Sequence, residues 1–121
     1  MRFNTALLHS NIMGDENTGA TLTPIYQSSA FYQTSAEQHE KLFNNKATGF
    51  SYTRINNPTV LAFENRMSSL ENGLVSVACA SGMAAITNAL LNIVCAGQEI
   101  IASTSLYGGS IDVFHDFEAF G

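Results

Sequence analysis

Positive charge is scarce in this 121-residue chain: five Lys and Arg stand against ten Asp and Glu, for a formal net charge of −5. The five basic residues form no cluster, which excludes a nucleic-acid surface, because such surfaces depend on grouped cations that displace counterions from phosphates. Cysteine is as sparse, with Cys79 and Cys95 alone. Their spacing fits neither a metal site nor a CxxC redox pair, and their apolar neighbours point to buried free thiols in a reducing setting. His9, His39 and His115 are scattered without metal-ligand spacing, so no metal is expected. The chain lacks a basic start followed by an apolar core. It also lacks an apolar stretch free enough of Ser, Asn, Gln and Gly to span a bilayer. The expectation is therefore a soluble, cytoplasmic protein with no membrane contact. Nucleotide loops are missing too: there is no GxGxxG, and no Gly-Lys-Ser/Thr follows a glycine loop.

What is present is a globular composition, 45% apolar and 12% charged, which argues against disorder. Residues 1–56 are rich in Ser, Thr, Asn and Gln, with turn-like places at 13–19 and 44–49 and no sustained apolar period. They read as an extended arm carrying one or two helical turns over 37–43. From Asn57 the pattern sharpens. Asn57 is a good helix N-cap, Pro58 suits the first helical position, and Val60, Phe63, Met67, Leu70 and Leu74 recur at helical spacing until Gly73 interrupts. A buried strand over 74–79, a helix over 82–95 capped by Ser81, a strand over 99–103 and a helix over 109–120 complete an αβαβα order. Such an order implies an α/β fold with a parallel sheet and a right-handed crossover. No charged residue lies between Glu71 and Glu99. A helix this uncharged must be covered on more than one side, which two strands cannot do. The chain is therefore expected to be an incomplete domain, the N-terminal part of a longer polypeptide or one piece of a split one.

Two segments carry chemistry. Val77-Ala78-Cys79-Ala80-Ser81-Gly82-Met83 reads as a strand turning at Ser81-Gly82 into a helix, which points unpaired backbone N–H groups and the positive end of a helix dipole at one spot. That geometry favours an anion. Earlier, Tyr52 and Arg54 stand two residues apart, so an extended backbone would place both on one face, and Arg54 could grip a phosphate bidentately. Taken singly, Ser81-Gly82 would be a plain helix cap, Arg54 a surface ion-pair residue and Tyr107 a ring packed over the flexible Gly108-Gly109 turn. Their order along the chain favours one phosphate site, with Tyr107 at a strand end, where ligands of open α/β sheets collect. Asp112, Asp116 and Glu118 read as a solvated helix face.

These segments, together with Thr23-Pro24-Ile25-Tyr26-Gln27-Ser28-Ser29, Tyr52 to Thr59 and Leu106-Tyr107-Gly108-Gly109-Ser110, resemble the pyridoxal-phosphate enzymes of cysteine and methionine metabolism. Thr53 to Val60 and Phe63-Glu64-Asn65-Arg66 look most similar to the O-acetylhomoserine sulfhydrylases among them. Methionine γ-lyases commonly carry a cysteine where this chain has Gly109. The resemblance implies pyridoxal 5'-phosphate as cofactor, its phosphate cradled by Ser81, Gly82 and Met83. It implies that Tyr107 stacks on the pyridine ring with a share in proton transfer, and that Tyr52 and Arg54 reach the phosphate of a neighbouring subunit. It further implies a fold-type I transferase assembled as a dimer or tetramer, with residues 1–56 as an arm for subunit contacts and residues 57–121 as the start of the large, cofactor-binding domain. The substrate would be a small amino acid, O-acetylhomoserine, converted with sulfide or a thiol to homocysteine or methionine and acetate. A cystathionine γ-synthase, a methionine γ-lyase, or a non-catalytic assembly partner or remnant are the alternatives. Lys41 and Lys46, the only lysines, do not match the family's Schiff-base position, which the resemblance places beyond residue 121. The 121-residue chain alone is therefore expected to be inactive.

Overall fold

The computed structural model describes residues 2–11 and 14–121. Its helices are α1 (Phe3–His9), α2 (Ala36–Phe43), α3 (Pro58–Leu70), α4 (Gly82–Ile93) and α5 (Gly108–Glu118). Three of them start on a side-chain cap. Ser35 Oγ accepts from the Gln38 amide at 3.2 Å, Asn57 Oδ1 from Thr59 at 2.8 Å, and Ser81 Oγ from Ala84 at 3.1 Å, each satisfying a donor the helix leaves open. Helix α3 ends in a Schellman turn: Asn72 takes the left-handed conformation (φ 53°) and the Gly73 amide donates to the Ser68 carbonyl at 2.8 Å. The residue that turns the chain is thus Asn72, one before the glycine that the sequence pattern singles out.

The described residues fall into two compact units, Met1–Val77 and Ala78–Gly121. In the first, α1 lies against α3. The expectation of an extended arm misses α1, because seven residues without a capping side chain carry no local helix signal. Tertiary contacts hold it instead: Arg66 Nη1 donates to the Leu7 carbonyl at 2.6 Å and Asn11 Nδ2 to the Asn65 carbonyl at 3.0 Å. The rest of the arm is tied down beside α3. Ala30 and Tyr52 form an isolated antiparallel bridge. Around it the Phe31 amide donates to Ser51 at 3.0 Å and the Thr53 amide to Ser29 at 2.8 Å. Of the turn-like stretch at 13–19, residue 13 lies outside the described residues. Over the remainder, Asp15 closes the loop by accepting from Thr18 Oγ1 at 2.7 Å and pairing with Ala20.

In the second unit α4 packs on α5. Among the described residues neither 74–79 nor 99–103 is a strand, and the bridges at Asp15–Ala20 and Ala30–Tyr52 are isolated. The reason is physical. A strand exists only beside a partner, and here Leu74 is 100% and Ile101 99% exposed. No apolar residue among those described is buried, while the polar Asn57, Ser68 and Ser110 are. The thiols follow suit: Cys95 is exposed and Cys79 only half-buried, not enclosed as their apolar neighbours suggested.

Candidate functional site

Ser81 sits in extended backbone (φ −155°, ψ 163°) and uses both its oxygens on α4: Oγ accepts from the Ala84 amide and its carbonyl accepts from Ala85 at 3.0 Å. The amides of Gly82 and Met83 therefore stand first at the helix opening, and the Ser81 hydroxyl, having accepted, still has its proton to donate. A Cβ added at Gly82 would meet nothing within 4 Å, so the space beside the first residue of the helix is open. With no charged side chain from 72 to 98, nothing along α4 repels a dianion, and the dipole of a twelve-residue helix favours one. A phosphate group fits these residues.

Tyr107 precedes α5 without capping it through its side chain. Its ring lies over the backbone of Gly109: an added Cβ there would sit 2.7 Å from Tyr107 Cε1 and 3.5 Å from Met83 Sδ. The structure thus brings Met83 at the opening of α4 together with Tyr107 and Gly109 at the opening of α5. Tyr107 is 75% exposed, leaving its ring available for stacking. The sequence presents Gly109 as part of a flexible turn; the fold shows that its missing side chain is what lets the Tyr107 ring lie against it beside Met83.

Tyr52 and Arg54 belong to the first unit, and there the expectation of an extended backbone fails. Residues 53–55 form a turn closed by the Ile55 amide on the Tyr52 carbonyl at 2.9 Å. Thr53 forces it, because its Oγ1 donates to the Ser28 carbonyl at 2.6 Å while Asn56 Nδ2 is pulled to Gly49 at 2.8 Å. Arg54 stands exposed on this turn, and Tyr52 at its foot. The position of the turn is set by Asn57, which is 4% exposed. Besides capping α3, its Nδ2 donates to the Tyr26 carbonyl and to Thr53 Oγ1, both at 3.1 Å. From the other side Thr59 Oγ1 accepts from the Tyr26 amide at 2.8 Å. The sequence shows Asn57 as a cap; only the fold shows it as the tether of the arm.

Comparison with known proteins adds the following. A sequence profile of the Cys/Met metabolism PLP-dependent enzymes matches residues 4–119. The chain is 46% identical over 112 residues to an O-acetyl-L-homoserine sulfhydrylase of Corynebacterium glutamicum, an alignment covering 93% of this chain and 26% of that protein. It is 38% identical over 113 residues to an L-methionine gamma-lyase of Pseudomonas deceptionensis, covering 93% of this chain and 28% of that one. Its fold superposes with a TM-score of 0.89 and 31% identity on a putative O-acetylhomoserine (thiol)-lyase of Campylobacter jejuni solved with N'-pyridoxyl-lysine-5'-monophosphate, over 100% of this chain and 30% of that chain. The chain thus spans under a third of the length of these relatives.

Proposed function

Because the chain belongs to the Cys/Met metabolism PLP-dependent enzymes, we propose that it forms the phosphate-holding end of a pyridoxal-phosphate-dependent sulfhydrylase. In this reading the whole protein replaces the acetate of O-acetylhomoserine, breaking the Cγ–O bond and forming a Cγ–S bond with sulfide or a thiol. The observation that carries it is the meeting of the α4 opening with Tyr107 inside the second unit. When bound, pyridoxal phosphate supplies an electron sink for charge developing on the amino acid.

The chain's own share is anchoring and orientation. The Gly82 and Met83 amides and the Ser81 hydroxyl donate to the phosphate. The exposed Tyr107 ring would stack on the cofactor's pyridine, and its Oη would hold or move a proton for the reacting amino acid. Arg54 and Tyr52, presented on their turn, complete a phosphate site in a neighbouring subunit, which makes oligomerisation part of the site. Residues 1–56 then act as an assembly arm and 57–121 as the start of the fold-type I large domain. That functional division differs from the division by compactness after Val77, since α3 packs with the arm it follows.

The test uses a polypeptide that joins this chain to the remaining length of its family. O-acetylhomoserine with sulfide should yield homocysteine and acetate, and Arg54→Ala should release cofactor without altering the fold. Release of a thiol from methionine in place of that synthesis would move the chain to the lyases. Undiminished cofactor retention in Arg54→Ala would remove the arm from the site.

A further inference from the structure

The loop over 49–56, which carries Tyr52 and Arg54, is held through its backbone carbonyls more than by packing. Between it, α2 and α3 lies a hollow of about 690 Å³ lined by Leu42, Phe43, Phe50, Ile55 and Leu61, so apolar contacts do little to fix the loop on that side. Two side-chain amides act instead. Gln33 Nε2 donates to the Phe50 carbonyl at 2.7 Å and Asn56 Nδ2 to the Gly49 carbonyl at 2.8 Å. The first ties the loop to the arm, and the second ties its entry to its exit. The Phe31 amide takes the next carbonyl, that of Ser51. The Arg54 side chain takes no part in these bonds and stands exposed on the turn.

Among these donors, Asn56 is the one that stability does not explain. Its Oδ1 is enclosed and has no hydrogen-bond partner among the described residues. Turning the amide over gives no relief, because that would set the same oxygen against the Gly49 carbonyl. An enclosed acceptor left unsatisfied costs at least as much as one hydrogen bond gains in net terms. Gly49, moreover, is exposed, so water can serve its carbonyl when the asparagine is gone. An apolar side chain of similar size would therefore fold as well or better. A polar group kept at such a cost calls for a reason, and the bond it secures closes the loop that bears Arg54.

We propose that Asn56 is a positioning residue for Arg54: its amide holds the loop closed so that the guanidinium is presented in one place to a phosphate, with Gln33 holding the loop's entry to the same end. The proposal rests on the reading of Arg54 as a phosphate ligand given above. A guanidinium on a slack loop can form the same bonds, but it must lose its freedom on binding, and a loop fixed beforehand removes that cost.

The experiment uses the polypeptide that joins this chain to the remaining length of its family, titrated with pyridoxal phosphate and followed by absorbance. Asn56→Leu should weaken cofactor binding about three- to tenfold, the size expected for ordering a freed segment, while the melting temperature of the cofactor-free protein holds or rises. Arg54→Ala is the reference. It should weaken binding more, and in its presence Asn56→Leu should have no further effect, because the asparagine acts only through the arginine. Gln33→Met, which removes the other donor at similar volume, should likewise weaken binding only while Arg54 is present. Unchanged affinity in Asn56→Leu, or the same loss with Arg54 already removed, would overturn the proposal and leave Arg54 in its role. So would an Asn56→Leu protein that melts lower in step with its affinity or does not fold, since a merely structural asparagine moves both together. Undiminished affinity in Arg54→Ala would overturn the reading beneath the proposal and the proposal with it.

Discussion

Replacing Asn57 by alanine tests how the arm is held. The side chain makes three hydrogen bonds from a position 4% exposed: it caps Thr59, and it donates to the Tyr26 carbonyl and to Thr53 Oγ1. Loss of the cap costs about 1 kcal/mol, and stranding a half-buried carbonyl adds about 1–3 kcal/mol. One side chain serves both roles, so the two effects do not simply add, and a total of about 2–3 kcal/mol is expected. Read as native-state hydrogen exchange at Leu61, whose amide donates to the Asn57 carbonyl at 2.9 Å, that is roughly a 30- to 150-fold acceleration. Asn57→Ser separates the components, because its hydroxyl can still cap but cannot reach the arm. It should recover about 1 kcal/mol of the loss, while the Thr53 and Tyr26 amides exchange as fast as in the alanine variant. If alanine and serine behaved alike at Leu61, the cap would be irrelevant. If the Thr53 and Tyr26 amides kept native protection in Asn57→Ala, the tether would be wrong.

Ser81→Asp preserves the α4 cap yet places negative charge where a phosphate is proposed to sit, so helix stability should hold while phosphate-induced shifts of the Gly82 and Met83 amides vanish; Ser81→Ala should cost about 1 kcal/mol of helix stability and only weaken those shifts. Gly109→Ala puts a methyl 2.7 Å from the Tyr107 ring, and the ring must swing away, seen as lost ring-current shifts at Met83 with the α5 amides unchanged. The Glu37 carboxylate is held below the ordinary glutamate range by its own backbone N–H and then by the Ser35 hydroxyl. Since the folded value lies below the unfolded one, its support of α2 is present above the usual glutamate titration and is lost as pH falls through the lowered value. Carbon-detected titration of Glu37 should show the low midpoint, and Ser35→Ala should raise it.

Local chemistry was legible from the residues alone. Asn57-Pro58 opens α3 and Ser81 opens α4 because caps act within three residues of their own position, so the pattern along the chain already contains both partners. The anion-favouring start of α4 and the family likeness carried by Tyr52 to Thr59, Ser81 to Ile86 and Tyr107 to Ser110 were legible for the same reason. Tertiary structure alone decided the rest. Helix α1 exists because Arg66, 59 residues away, takes the Leu7 carbonyl; residues 53–55 turn because Thr53 is drawn to Ser28 across 25 residues; and the Tyr107 ring lies over Gly109 beside Met83 through the packing of α4 on α5. The segments 74–79 and 99–103 have strand sequences but form no strand, because a ladder is a property of two neighbours and no sequence pattern within one segment can supply the other.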